Sequence, residues 1–152
     1  MKNIITTSLA VLFLATIVGC GDGRLRTEPV SGIVRLNGEP LEGAAVSFVP
    51  KNDGEGAAGF ATTDEKGEYR LQTMAGRPDA GTLPGEYIVT ISKYRSIPTG
   101  RRVIDSDTRE QVDEMESVPL FPGMVRYANA STTPFSATVV RGRNQFDFDL
   151  TE

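Results

Sequence analysis

Carboxylates are the most numerous side chains here that could do chemistry, because the 152 residues include one cysteine and no histidine. The absence of histidine excludes Ser-His-Asp and Cys-His nucleophiles and the usual His/Cys zinc sites. Paired carboxylates can cleave glycosidic bonds, and Asp147 with Asp149, and Asp105 with Asp107, are closely spaced. Both pairs are typical of a solvated surface. We therefore expect no enzyme, and a carboxylate-only hydrolase is the less favoured alternative.

A calcium site built from oxygen ligands is the remaining metal chemistry. Asn52, Asp53 and Glu55 form one candidate cluster, and Asp64 is a second candidate position. Asn and Asp also accept hydrogen bonds from their own backbone in turns, and glycines follow both positions. The turn interpretation is favoured, so we expect neither a metal nor a cofactor.

The single cysteine lies at the end of a short apolar segment. Met1-Lys2-Asn3 precedes an apolar stretch over 4–18, which is shorter than the roughly 20 residues of a spanning helix and typical of a signal peptide. The following Ile17-Val18-Gly19-Cys20 resembles the lipobox of bacterial lipoproteins, in which the thiol accepts a diacylglyceryl group before cleavage in front of the cysteine. We predict a lipoprotein signal peptide over 1–19, lipidation at Cys20 and a tether over 20–28.

The anchor predicts where the protein resides and what it meets. Lipid on Cys20 would hold the chain to a membrane of the bacterial cell envelope, periplasm-facing or surface-exposed. Gly21 replaces the aspartate that retains some lipoproteins at the inner membrane, which weakly favours the outer membrane. The formal net charge is −4 with no concentrated basic face, so nucleic acid is not expected as a partner. Envelope proteins and polysaccharide are the expected partner classes.

Alternating apolar residues dominate the chain from Pro29 onward and predict short β-strands. Turn signals stand at Asn37-Gly38, at 64–67 and at 141–144. About seven strands without a convincing amphipathic helix indicate a single antiparallel β-sandwich. The residues expected to point inward are Val30, Gly32, Val34, Leu36, Ala44, Val46, Phe48, Tyr69, Leu71, Tyr87, Val89, Ile91, Phe135, Ala137, Val139, Phe146, Phe148 and Leu150.

One segment interrupts this alternation. Residues 94–118 contain a densely charged part, 101–116, with little apolar content. This predicts a long charged loop, either a flexible excursion or a frayed helical turn. The residues that follow, 119–127, are more apolar and are expected to fold back as a cap on the sandwich.

Three short motifs carry a family resemblance. Residues 30–44 read VSGIVRLNGEPLEGA, residues 63–69 read TDEKGEY and residues 84–89 read PGEYIV. In this order they resemble the carboxypeptidase regulatory-like domains, which are transthyretin-like (prealbumin-like) Greek-key sandwiches. The resemblance implies one such domain over 29–152, as in a group of small bacterial lipoproteins, and it implies no activity. Hydroxyisourate hydrolases and intradiol dioxygenases have related folds but require histidines, which this chain lacks.

These observations predict a noncatalytic envelope lipoprotein whose sandwich serves as a binding, adhesion or scaffolding module. A carbohydrate-binding domain is an alternative, because exposed tyrosines often line sugar sites. Alternation places Tyr69 and Tyr87 in the core, and Tyr94 and Tyr127 are isolated residues without an aromatic platform.

Overall fold

The computed structural model describes residues 26–52, 56–73 and 80–152. The predicted signal peptide, Cys20 and most of the tether lie outside the described residues, as do the calcium candidates Asp53 and Glu55. The described strands are β1 (Val30–Leu36), β2 (Glu39–Pro40), β3 (Ala45–Pro50), β4 (Gly59–Thr62), β5 (Glu68–Arg70), β6 (Gln72–Thr73), β7 (Gly85–Ser92), β8 (Tyr94–Ile104), β9 (Gln111–Pro119), β10 (Ser136–Val139), β11 (Asn144–Gln145) and β12 (Phe148–Leu150). One short helix, α1, spans Met124–Ala128.

Two sheets form the body of the molecule, which confirms the predicted all-β sandwich. In the first sheet, β1 is central and pairs with β2, β5, β11 and β12; the second sheet has the order β10-β7-β3-β4-β6. The second sheet is antiparallel throughout. In the first sheet, however, β11 and β12 run parallel to β1, so the expectation of purely antiparallel pairing is wrong there.

The number of strands also exceeds the predicted seven, partly because one predicted strand is shared between the sheets. Residues 68–73 read as one strand in the sequence, but β5 pairs with β1 in the first sheet and β6 pairs with β4 in the second. Leu71 lies between β5 and β6, where the chain passes from the first sheet to the second, and it is fully buried. Its amide donates to the Val30 carbonyl at 2.9 Å, which holds the corner against β1.

The core contains the residues that the alternation predicted to point inward. Phe48 lies at its centre, with ring-centroid distances of 5.8 Å to Tyr87 and 6.3 Å to Phe148. Leu36, Phe135 and Phe146 are partly buried at its margin. Gly32 is required by close packing, because a Cβ there would overlap the Phe146 carbonyl.

The segment after β9 folds back over the sandwich, as predicted. Phe121, Met124 and Tyr127 are buried in the same core. The ring of Tyr127 stacks on that of Phe135, with centroids 5.5 Å apart and an interplanar angle of 16°. This cap closes one side of the core without adding a further sheet.

The prediction of a charged loop over 94–118 is wrong, because β8 and β9 form a two-stranded antiparallel hairpin there. We call this hairpin the hairpin arm (94–119). Val103 lies opposite Val112, and Arg102 lies opposite Asp113, with their charged atoms 3.9 Å apart. The Thr99 hydroxyl donates to the Glu114 carboxylate at 2.7 Å. One pair of opposite charges, Arg102 and Asp113, therefore faces across the strands, which favours their pairing.

The tether and the hairpin arm join opposite ends of the sandwich. At the tether end, the Glu28 amide donates to the Thr82 carbonyl at 2.7 Å, just before β1 begins. At the hairpin end, Lys93 accepts a hydrogen bond from the Leu120 amide and donates from its ammonium to the Glu42 carbonyl. Thr82 lies three residues before β7 begins and Lys93 directly follows its end, so the length of β7 separates the two attachment points.

Candidate functional site

The first predicted carboxylate pair consists of Asp147, just before β12, and Asp149, within β12. Both carboxylates lie near one arginine. Arg35 lies 3.9 Å from Asp147 and 3.7 Å from Asp149. Asp147 also accepts the Ile33 amide at 3.0 Å. One arginine therefore lies within ion-pair distance of both carboxylates, in an exposed arrangement of the kind that contributes little to stability.

The second pair lies in the turn at the tip of the hairpin arm. Asp105 accepts the amides of Asp107 and Thr108 at 3.0 and 2.8 Å. These hydrogen bonds lower the pKa of the Asp105 carboxyl below its ordinary value, and the one from the Thr108 amide has the largest effect. Asp105 therefore closes the turn, and the backbone conformation with positive φ at Arg109 completes it.

Asp64, the second calcium candidate, likewise accepts hydrogen bonds from the backbone of its own turn. One of its carboxylate oxygens accepts the amides of Lys66 and Glu68, each at 2.9 Å. Across the described ranges, no three acidic, cysteine or histidine residues are grouped closely enough to hold a metal ion. Asn52 is exposed, while its predicted co-ligands lie outside these ranges.

The four tyrosines do not form a sugar-binding platform. Tyr69 and Tyr87 are buried as predicted. The Tyr69 hydroxyl donates to the Phe146 carbonyl at 2.8 Å, and burial, with the nearby Asp147 charge, raises its pKa well above the ordinary value. Tyr127 is buried in the cap, and Tyr94 alone is exposed, at 53%.

Sequence reasoning missed a groove on the outer face of the first sheet. Ser31 of β1 lies directly opposite Arg70 of β5 on one side and Gln145 of β11 on the other. These three residues, with Arg143 and Pro29, line a depression of about 400 Å³. The parallel pairing of β1 with β11 creates this neighbourhood, and residues far apart in the chain carry no local signal for it.

The most exposed apolar surface belongs to the hairpin arm. Val103 and Val112, which are cross-strand neighbours, are 40% and 38% exposed, and Met115 is 55% exposed. All residues of β8 are exposed. Side chains of both faces and both outer strand edges of the arm are therefore available to a partner.

Comparison with known proteins assigns no family. No family model matches the chain, and no curated protein matches it. A 9R-lipoxygenase from Cyanothece PCC8801 has a TM-score of 0.39 at 14% identity, covering 84% of this chain and 16% of its own. A chlorocatechol 1,2-dioxygenase from Pseudomonas putida has a TM-score of 0.36 at 15% identity, covering 83% of this chain and 60% of its own. The chain thus spans less than two thirds of either structure, and likeness this low carries no functional argument. Within the residues described, no helix is long and apolar enough to cross a membrane.

Proposed function

We propose that this protein is a noncatalytic bacterial envelope lipoprotein, anchored by lipid on Cys20, whose domain binds another envelope component through the hairpin arm. The domain is a carboxypeptidase regulatory-like module in this proposal, and the two-sheet fold agrees with that assignment. Gly21 after the anchor favours the outer membrane.

The observation that carries the proposal is the exposed hairpin arm. A two-stranded ribbon is marginally stable in water unless its faces are covered. Here Ile104 and Met115 remain 61% and 55% exposed, and the outer edges of β8 and β9 have no neighbouring strand among the described residues. Exposed apolar side chains and open strand edges are the features that proteins use for recognition by strand addition or face packing.

The position of the arm supports a binding role at a membrane. The arm leaves the sandwich at the end opposite the tether, next to Lys93, so an anchored domain would present it away from the lipid surface. A protein partner is favoured over a sugar, because the described tyrosines provide no stacking platform.

The anchor is tested by lipid labelling. The wild-type protein should incorporate a palmitate analogue and partition into the detergent phase, and Cys20→Ala should do neither. Equal labelling of the two proteins would contradict lipidation at this residue.

The binding role of the arm is tested by photo-crosslinking in intact cells. A photoreactive amino acid at Met115 should yield a defined adduct. The same group at Val140, which is 56% exposed on the sandwich and therefore matched to the 55% exposure of Met115, should yield none. Adducts of equal intensity at both positions, or none at Met115, would remove the arm as the binding element.

A further inference from the structure

We propose that the groove on the first sheet, lined by Ser31, Arg70, Arg143 and Gln145, binds anionic lipid headgroups of the membrane that holds the anchor. This inference rests on the proposed lipid anchor and adds a second, electrostatic contact that orients the domain. It concerns a different surface from the hairpin arm.

The groove brings two arginines and two neutral hydrogen-bonding side chains to one face. Ser31 has Arg70 and Gln145 as its direct cross-strand neighbours. Arg143 is two residues before Gln145 and follows the same groove. Guanidinium groups bind phosphate oxygens in pairs of hydrogen bonds, and the Ser31 hydroxyl and the Gln145 amide add neutral donors.

The two arginines have no carboxylate partner in the described part of the chain. By contrast, Arg35 is within 4 Å of Asp147 and Asp149, and Arg102 is within 4 Å of Asp113. Arg70 and Arg143 make no such ion pair there, so both guanidinium groups remain available to an external anion.

Two acidic residues border the groove, and one of them accepts a backbone hydrogen bond. Glu28 accepts the Gly142 amide at 2.8 Å, and Glu68 lines the adjoining part of the same face. The groove is therefore suited to a few anionic groups rather than to a highly charged polymer.

The place of the groove relative to the tether selects a membrane surface as the source of those anions. Pro29 lines the groove and is also the residue at which the tether meets the sandwich. The segment from Cys20 to Pro29 spans at most about 30 Å when extended. A lipid on Cys20 would keep headgroups at a high local concentration, so that even a weak contact would be occupied.

The test uses the full mature chain, coupled through Cys20 to a maleimide lipid in vesicles. Cys20 is the single cysteine, so coupling reproduces the anchor without the cell's lipidation. Arginine modification by phenylglyoxal is followed by mass spectrometry on phosphatidylglycerol-containing vesicles and on pure phosphatidylcholine vesicles. We expect Arg70 and Arg143 to react at least about threefold more slowly on the anionic vesicles.

Internal controls are supplied by the hairpin arm. Arg101 and Arg109 are exposed there and should react equally on both vesicles. The protection of Arg70 and Arg143 should fall between about 0.05 and 0.5 M salt, since screening weakens the contact. Glu68→Gln should increase the protection, because it removes a neighbouring negative charge.

Three outcomes would overturn the inference: equal reaction rates on both vesicles, uniform protection of all four arginines, or the same protection by inorganic phosphate at matched concentration without vesicles. The last outcome would mark a site for free phosphate rather than for a lipid surface. Because coupling is chemical and no partner is present, failure here is distinguishable from failure of palmitate labelling or of crosslinking at Met115.

Discussion

The sandwich and the hairpin arm are both built from paired strands, but only the strands of the sandwich bury one face. In β7, alternate residues Tyr87, Val89 and Ile91 are fully buried. In β8, successive side chains also point to opposite faces, but both faces are exposed, with Val103 on one and Ile104 on the other. Strand pairing in the sandwich is accompanied by burial, whereas in the arm it depends on hydrogen bonds and cross-strand pairs.

The difference shows that charge content alone does not distinguish a loop from a strand. In the arm, Arg102 and Asp113 form an ion pair across the two strands. This pairing supports a ribbon that contributes no residue to the core, and its apolar side chains are left for a partner.

The largest expected contrast comes from truncating a large side chain in each region. Phe148→Ala should lower the free energy of unfolding by about 3–5 kcal/mol, because the ring is 5% exposed and packs against Phe48 and Tyr69. Met115→Ala in the arm should change it by less than about 0.5 kcal/mol. Urea titration of both variants measures the difference, with Asp149→Ala as a near-neutral control on the opposite face of β12. Comparable losses for Phe148 and Met115 would show that the arm is packed against the core.

A smaller contrast follows from removing one hydroxyl. Tyr69→Phe should cost about 1–2 kcal/mol, since it deletes the hydrogen bond to the buried Phe146 carbonyl. Tyr94→Phe should cost less than about 0.5 kcal/mol, because that ring is 53% exposed. Thermal unfolding of the two variants gives the comparison. A neutral Tyr69→Phe would mean that water replaces the lost donor.

Removal of the arm should scarcely alter the sandwich. Deletion of Thr99–Ser117 shortens a connection whose strands contribute no residue to the core. The free energy of unfolding should change by less than about 1 kcal/mol, as measured by denaturant titration with circular dichroism. If the deletion instead unfolds the protein, the arm belongs to the same cooperative unit as the sandwich.

The smallest effect should be confined to the tip of the arm. The pKa of Asp105 in the folded turn is below its unfolded value, so the carboxylate stabilises the turn above the unfolded pKa. This stabilisation is lost as pH falls through the folded pKa. The amide resonances of Asp107 and Thr108 should report a midpoint below the ordinary aspartate pKa, and Asp105→Asn should abolish the transition. A midpoint at or above the ordinary value would contradict the hydrogen-bonded turn.

Local patterns in the sequence accounted for the elements whose structure depends on near neighbours. The turn at Asn37-Gly38 has positive φ at both residues, as its type requires. Alternation identified the buried faces of β1, β3, β7 and β12. These features follow from backbone preference and from the need to bury apolar surface, which short windows of sequence express.

Features that depend on pairing between distant segments were not predictable in this way. The parallel pairing of β1 with β11 joins residues more than one hundred positions apart, and the groove exists because of it. The division of residues 68–73 between two sheets likewise depends on which strands flank them. In the arm, Arg102 lies opposite Asp113 because the two strands pair in one particular register. A count of the charged residues does not reveal that register.

The length of the arm sets how far its tip can stand from the tether end of the sandwich. β8 has 11 residues, which at about 3.3 Å each extend roughly 35 Å. β7 adds 8 residues, or roughly 25 Å, between the two attachment points. The Asp105 turn can therefore stand up to about 60 Å from the tether. Removing one cross-strand pair of residues would shorten this reach by about 3 Å, so graded deletions would set the distance between the tip of the arm and the tether.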